Sequence, residues 1–288
     1  MARTVTQAFR ELKGNLEITD LQESTASTRQ QNVRRAVESY LTVLDSFLTG
    51  SYSRHTMIAP LKEADLDIFV VLDPGYYEED GQANLLDRVE RVLKNTYPRT
   101  PDISRNGQAV TIQFTDFAVD VVPAFYRKGG GYLIPNSARQ TWIATDPKKH
   151  VEILSDANAR HNGNLVPLIK MVKGWNRNIE RHFYSFHLEV LALQILDRAT
   201  ISDFPSGIRY FFDKGRSHIR EKSPDPSGYG GDVGAYLNTN PKIENAVARF
   251  ESACDRAIRA EDYNRRGYVA EAIDMWRIIF GQYFPAYG

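Results

Sequence analysis

The chain has 288 residues, 42% of them hydrophobic, and its 36 Lys and Arg balance 36 Asp and Glu. That length suffices for one large domain or two modest ones with a substantial core, and zero net charge excludes a global basic field of the kind that drives nonspecific duplex binding. The single cysteine, Cys254, excludes an internal disulfide framework and a multi-cysteine zinc site.

Cys254 lies at helical spacing from Val247, Phe250 and Ile258 and reads as core packing. The stretch MARTVTQAFRELKGNLEITD has no unbroken apolar segment, and no run approaches the ~18 apolar residues of a membrane span. A cytoplasmic protein without a membrane partner is the expectation. Val33, Val37, Tyr40, Leu41, Leu44 and Leu48 recur at three- and four-residue steps, which predicts an amphipathic helix leading straight into Thr49-Gly50-Ser51. From Asp65, DLDIFVVLDPG predicts a strand buried on both faces and stopped by Pro74-Gly75. Period-two geometry sets Asp65 and Asp67 side by side.

A helix over about 84–94 follows, and then AVTIQF and FAVDVVPAF predict two strands joined by a tight Thr115-Asp116 turn. Asp120 falls in the second, on the opposite face from Val119 and Val121. Asp73 and Asp116 sit beside turn formers and take turn roles. Beyond this point the chain reads as helical, with Asp146 as an N-cap before Pro147. Further helices are predicted over 166–179, 186–196, 243–258 and 268–280, the third of them started by Asn240-Pro241. The segment SPDPSGYGGD, residues 223–232, is a loop. The architecture expected is α+β, a small mixed sheet preceded by a long helix and followed by an all-helical half.

Two aspartates at i and i+2 on one strand face, with a third on a neighbouring strand, can hold two Mg²⁺ ions about 4 Å apart. Hard carboxylate oxygens suit Mg²⁺, which fills the rest of its shell with water and phosphate oxygens. One ion would activate an attacking hydroxyl and the other would steady leaving pyrophosphate. Asp65, Asp67 and Asp120 are embedded in apolar strands, where carboxylates without cations or strong donors are costly. Gly50 allows close backbone approach to phosphate and Ser51 supplies a hydroxyl, so together these residues describe nucleotidyl transfer.

Downstream, in LIKMVKGWNRNIER, Lys170, Lys173, Arg177 and Arg181 follow at steps of three and four, while Leu168, Met171, Val172, Trp175 and Ile179 cover the other side. This reads as a basic stripe on a packed helix, either a solvated face or a wall facing triphosphate; lysine is a common phosphate ligand. Ser185 in FYSFHLEVLAL is a candidate hydroxyl donor in the same wall, or a helix cap. His182 and His187, five apart with Phe183, Tyr184 and Phe186 between them, read as packing or surface residues rather than metal ligands.

Gly50-Ser51 followed by Thr56, then Asp65-x-Asp67, then Asp120 in AVDVVP, resembles the signature of the polymerase-beta-like nucleotidyltransferases. WIATDPKKH, VKGW with Lys173 and Trp175, YSFHLE and DPSGYGGDV are similar to one branch, the bacterial cGAS/DncV-like nucleotidyltransferases (CD-NTases) of CBASS anti-phage signalling. The resemblance runs over nearly the whole chain. It implies a nucleotidyltransferase core with N-terminal helices over 1–140 and a helical domain over 141–288 that closes a central active-site cleft, making the molecule bilobed.

The resemblance also implies that Asp65, Asp67 and Asp120 ligate two Mg²⁺ ions, with Mn²⁺ as a substitute, and that Asp120 helps deprotonate the acceptor 3′-hydroxyl. Gly50 and Ser51 would hold the donor triphosphate, and Lys173 and Ser185 would contact its β and γ phosphates. Arg54 and His55 match no fixed role. The implied product is a cyclic di- or trinucleotide second messenger built from nucleoside triphosphates including ATP, with a HORMA-like or ubiquitin-conjugation-like regulatory partner by analogy and no long nucleic acid. Two other readings compete: a template-independent polymerase or linear oligoadenylate synthase, and an inactive nucleotide-binding scaffold.

Overall fold

The computed structural model describes every residue except Pro101 and the side chain of Leu21. Among the described residues the chain forms ten α-helices and a seven-stranded sheet, in two compact units.

The sheet unit spans Ile18–Glu152. Helix α1 (Val5–Leu16) precedes it, and α2 (Asp20–Glu38) opens it behind a capping box between Thr19 and Gln22. The helix expected to reach Gly50 stops at Glu38, and strand β1 (Val43–Leu48) takes its place. Val33, Val37 and Leu41 are buried as the helical period requires, but Leu44 is exposed. In β1 the period becomes two: Phe47 stacks on Phe69 at 5.1 Å, and Leu48 packs on the opposite side of the sheet. Helical spacing across residues 33–48 was continuous by coincidence, and strand pairing with an apolar neighbour overrode it.

After β1 come a one-turn helix α3 (Gly50–Ser53) and β2 (Asp65–Leu72), then α4 (Gln82–Thr96), β3 (Ile103–Asn106), β4 (Ala109–Gln113) and β5 (Ala118–Tyr126). The sheet order is β1-β2-β5-β4-β3, with β2 and β5 parallel and the other neighbours antiparallel. The predicted strand from Asp65, the helix over 84–94 and the β4–β5 hairpin are all present. The remainder is not wholly helical. β6 (Tyr132–Asn136) and β7 (Thr141–Thr145) extend the sheet from the end of β5. Gly129, Gly130 and Gly131, all at positive φ, turn the chain between β5 and β6 where a residue with a Cβ would be strained.

One face of the sheet carries Leu66, Ile68, Val70, Val119 and Val121 into a core shared with α2 and α4. The alternate residues of β2 and β5 therefore share the other face. At one end of that face stand Asp65, Asp67 and Asp120; at the other, Phe69, Val71 and Ala124 join Tyr132 and Ile134 in a smaller apolar cluster.

The helical unit comprises Met1–Glu17 and Ile153–Gly288. It contains the rest of α5 (Pro147–Arg160), then α6 (Leu165–Asn178), α7 (Ser185–Leu196), α8 (Phe204–His218), α9 (Asn240–Arg265) and α10 (Val269–Phe280). Asp146 accepts from the Lys149 amide at the start of α5, as an N-cap should. The division differs from the boundary expected after residue 140. Helix α1 belongs with the helical unit because Phe9 packs edge-on against Trp276 at 4.9 Å and Phe284 at 5.2 Å. β7 belongs with the sheet because it pairs with β6. Among the described residues no helix is long and apolar enough to cross a membrane.

Candidate active site

Strand register places the acidic residues. In the parallel β2–β5 pair Asp67 is the direct partner of Asp120, and Asp65 lies two residues back on β2 opposite Ala118. Side chains of register partners project to one face, so the three carboxylates share it. On the far side of β5, Thr111 of β4 is the partner of Asp120, and its hydroxyl donates to Asp120 Oδ1 at 2.5 Å. Burial pushes the Asp120 carboxyl above the usual carboxylate range; the Thr111 hydrogen bond opposes that rise and the nearby Asp65 charge adds to it.

Beyond β2 the row continues into the turn after β1. The Thr49 amide donates to the Asp67 carbonyl at 2.9 Å, and Gly50 follows at φ +64°. A Cβ on Gly50 would lie 1.8 Å from Asp67 Oδ2, so only glycine lets the turn close over that carboxylate. The Ser51 carbonyl accepts from the amides of Thr56 and Met57, and Thr56 is fully buried. Thr56 therefore fixes the shape of the turn carrying Gly50 and Ser51. That turn leaves a strand, not the helix expected. His55 within it adopts φ +57°, a conformation His enters more readily than most residues.

The donor set fits a hard divalent cation by its chemistry: three carboxylates on one face, with one of them held up by burial and by its neighbour's charge. Among the described residues no three His, Cys, Asp or Glu side chains stand close enough together to hold an ion as they are. The fit is thus one of residue type and face, not of a closed cage. The Asp73 side chain accepts from the Gly75 amide, and Asp116 accepts from the Phe117 amide and pairs with Arg29 at 2.7 Å, so both serve turns as expected.

In the helical unit the basic stripe has a different character from a solvated face. Helix α6 is buried on nearly every side, Lys173 included at 4% exposure. Lys173 Nζ meets Glu189 Oε1 of α7 at 2.6 Å, and Glu189 is 2% exposed. Lys170 pairs with Glu17, and Arg177 donates to the Tyr283 hydroxyl at 3.0 Å. Trp175 packs among Phe183, Phe212 and Phe250. Ser185 is exposed at the first position of α7.

His187 is buried, with Nδ1 3.1 Å from the Tyr236 hydroxyl and Nε2 3.0 Å from the Ser223 hydroxyl, and burial pushes its pKa down to about 4. His182 lies edge-on to Phe183, and Cys254 is buried, both as expected. The loop over 223–232 is pinned by its own aspartates: Asp225 accepts from the Ser227 and Gly230 amides, and Asp232 from the Ser223 and Gly234 amides.

Two partners escaped the sequence reading. Thr111 was within reach, because a hairpin centred between Thr115 and Asp116 pairs Thr111 with Asp120. Glu189 was not, because nothing local links two helices across a loop.

An Asp-x-Asp strand paired in parallel with a strand carrying a third aspartate, closed by a Gly-Ser turn, defines the class: this is a nucleotidyltransferase. A family model for the Second Messenger Oligonucleotide or Dinucleotide Synthetase domain matches residues 3–158, more than half of the chain. The chain belongs to that family, as the resemblance to cGAS/DncV-like enzymes implied. It is 29% identical to the cyclic AMP-AMP-AMP synthase of Acinetobacter sp. (strain ATCC 27244 / 9458) over an alignment covering 98% of this chain and 86% of the synthase. Two solved structures share the fold. Apo DncV of Vibrio cholerae has a TM-score of 0.80 at 15% identity, with 98% of this chain and 96% of that one covered. CdnC of E. coli MS115-1, solved as a CdnC:HORMA-deltaN complex, has a TM-score of 0.78 at 16% identity, with 98% of each chain covered.

Proposed function

We propose that the protein joins nucleoside triphosphates, ATP among them, into a cyclic di- or trinucleotide second messenger for anti-phage defence, releasing pyrophosphate at each step. The carrying observation is the lateral pairing of Asp67 with Asp120 on parallel strands, with Asp65 two residues away on the same face. In this reading the three aspartates hold two Mg²⁺ ions, which when bound supply charge neutralisation of the triphosphate and a more acidic acceptor hydroxyl. Asp120 accepts the 3′-hydroxyl proton. Gly50 brings backbone against the donor phosphates and Ser51 offers its hydroxyl. The further residues of this proposal are Ser185, exposed at the first position of α7, as a hydroxyl donor to the β or γ phosphate, and Lys173, which would contact it only by giving up the Glu189 carboxylate that holds its buried ammonium. Catalysis is positioning and charge stabilisation, with no covalent protein intermediate.

A HORMA-type regulatory partner belongs to the same proposal, by analogy with the CdnC complex. The test is incubation of purified protein, with and without such a partner, with Mg²⁺ and labelled triphosphates. Small phosphatase-resistant products that vanish in Asp120→Asn support the reading. Extension of an added RNA would instead identify a polymerase, and wild-type turnover in Asp120→Asn would remove the metal assignment.

A further inference from the structure

Asp120 stands in the middle strand of a three-strand row, with Asp67 on one side and Thr111 on the other. The carboxylate torsion of an aspartate is broad, so its backbone does not by itself decide where the two oxygens point. Thr111 does decide it. The distance from its hydroxyl to Asp120 Oδ1 is 2.5 Å, the short end of the range for a hydroxyl donating to a carboxylate. Threonine is β-branched and stiff about its first side-chain torsion, so the donor is itself fixed. Its strand, β4, is held by ladders to β3 and β5 on both sides. An ionised carboxylate only accepts hydrogen bonds, and a threonine hydroxyl has one proton to give. Thr111 therefore engages one oxygen of Asp120 from the side away from Asp67.

We propose that Thr111 is a positioning residue for nucleotidyl transfer, orienting the Asp120 carboxylate so that its second oxygen is presented to the substrate and its cations. The proposal rests on the reading of Asp120 as the third acidic residue of the site. A role limited to satisfying a half-buried carboxylate would show in stability alone. Positioning would show in cation affinity and in kcat.

The experiment compares Thr111→Val, which keeps shape and loses the hydroxyl, with Thr111→Ser, which keeps the hydroxyl and loses the methyl. Mn²⁺ binding in the presence of a non-hydrolysable ATP analogue is followed by electron paramagnetic resonance, and turnover is measured alongside. The valine variant is expected to bind Mn²⁺ about tenfold more weakly and to lose about 10–100-fold in kcat, while the serine variant recovers both. The KM for ATP is expected to move by less than about threefold in either, because Thr111 does not bind the substrate itself.

Wild-type Mn²⁺ affinity and kcat in the valine variant would overturn the proposal, as would a serine variant impaired as badly as valine. If the valine variant does not fold, Thr111→Ala against Thr111→Ser makes the same comparison. Asp120→Asn separates the two levels. An inactive asparagine variant beside a normal valine variant removes only the role of Thr111, whereas an active asparagine variant removes the metal reading and this inference with it.

Discussion

The two units treat buried and half-buried charge in opposite ways. In the sheet unit, Asp65, Asp67 and Asp120 are gathered on one face with a threonine hydroxyl and a glycine turn for company, and burial, with the Asp65 charge adding to it, holds the Asp120 carboxyl up. In the helical unit, Lys173 and Glu189 are buried together and neutralise one another. Carboxylates gathered on one face, one of them with a raised pKa, mark a candidate functional site. The contrast therefore predicts that deleting an acid costs activity in the first unit and stability in the second.

The largest expected effect is that of Asp67→Asn. Turnover should fall by about 10³-fold or more, while the melting temperature stays level or rises as repulsion is relieved. Product formation and calorimetry on one preparation check both halves, and a large loss of stability would erase the contrast.

Next is Glu189→Gln, which removes the carboxylate 2.6 Å from the buried Lys173 ammonium and should cost about 3–5 kcal/mol in urea unfolding. Replacing both partners, Lys173→Met with Glu189→Leu, should return stability to within about 1 kcal/mol of wild type. The same double variant sharpens the proposal for Lys173, because it should still fold yet bind triphosphate more weakly. Unchanged binding would leave the pair with a purely structural role.

His187 extends the comparison to pH. Its folded pKa, about 4, lies below the ordinary value of about 6.5, because the buried ring between Tyr236 and Ser223 resists charging. The unfolded chain binds the proton first, so this contribution is fully present above pH 6.5 and is lost as pH falls toward 4, by up to about 3 kcal/mol. The difference in unfolding free energy between wild type and His187→Gln should accordingly shrink over that interval; a constant difference would mean the ring titrates normally.

The smallest effect expected on stability is that of Gly50→Ala, about 1–2 kcal/mol for a side chain at positive φ. Its effect on turnover should be greater than its effect on melting, since the added methyl displaces Asp67. A variant as active as wild type would show that the turn can yield without moving the carboxylate.

Much of the site was legible because it depends on short spacings. DLD at the head of an apolar strand and VDVV in the next needed only a period of two to place their acids; the turn at Thr115-Asp116 also implied the pairing of Thr111 with Asp120, a partner that escaped the sequence reading. β1 was misread because Val33, Val37, Leu41, Leu44 and Leu48 satisfy a helical period up to a point where pairing with β2 sets another. β6 and β7 were missed because YLIPN and TWIAT are short and gain their structure from β5 and from each other. The stripe Lys170, Lys173, Arg177 was visible, but its partners Glu17, Glu189 and Tyr283 come from elsewhere in the chain.

Residue chemistry and local period alone established the acidic strands, the Gly-Ser turn, most of the helices and the resemblance to nucleotidyltransferases, because each is encoded within a few neighbouring residues. Only the folded chain decided that the turn leaves a strand, that α1 belongs with the C-terminal helices, and that Lys173 is matched by Glu189. Those outcomes depend on which distant segments meet, and contact between distant segments is set by burial and pairing across the whole chain rather than by any single stretch of it.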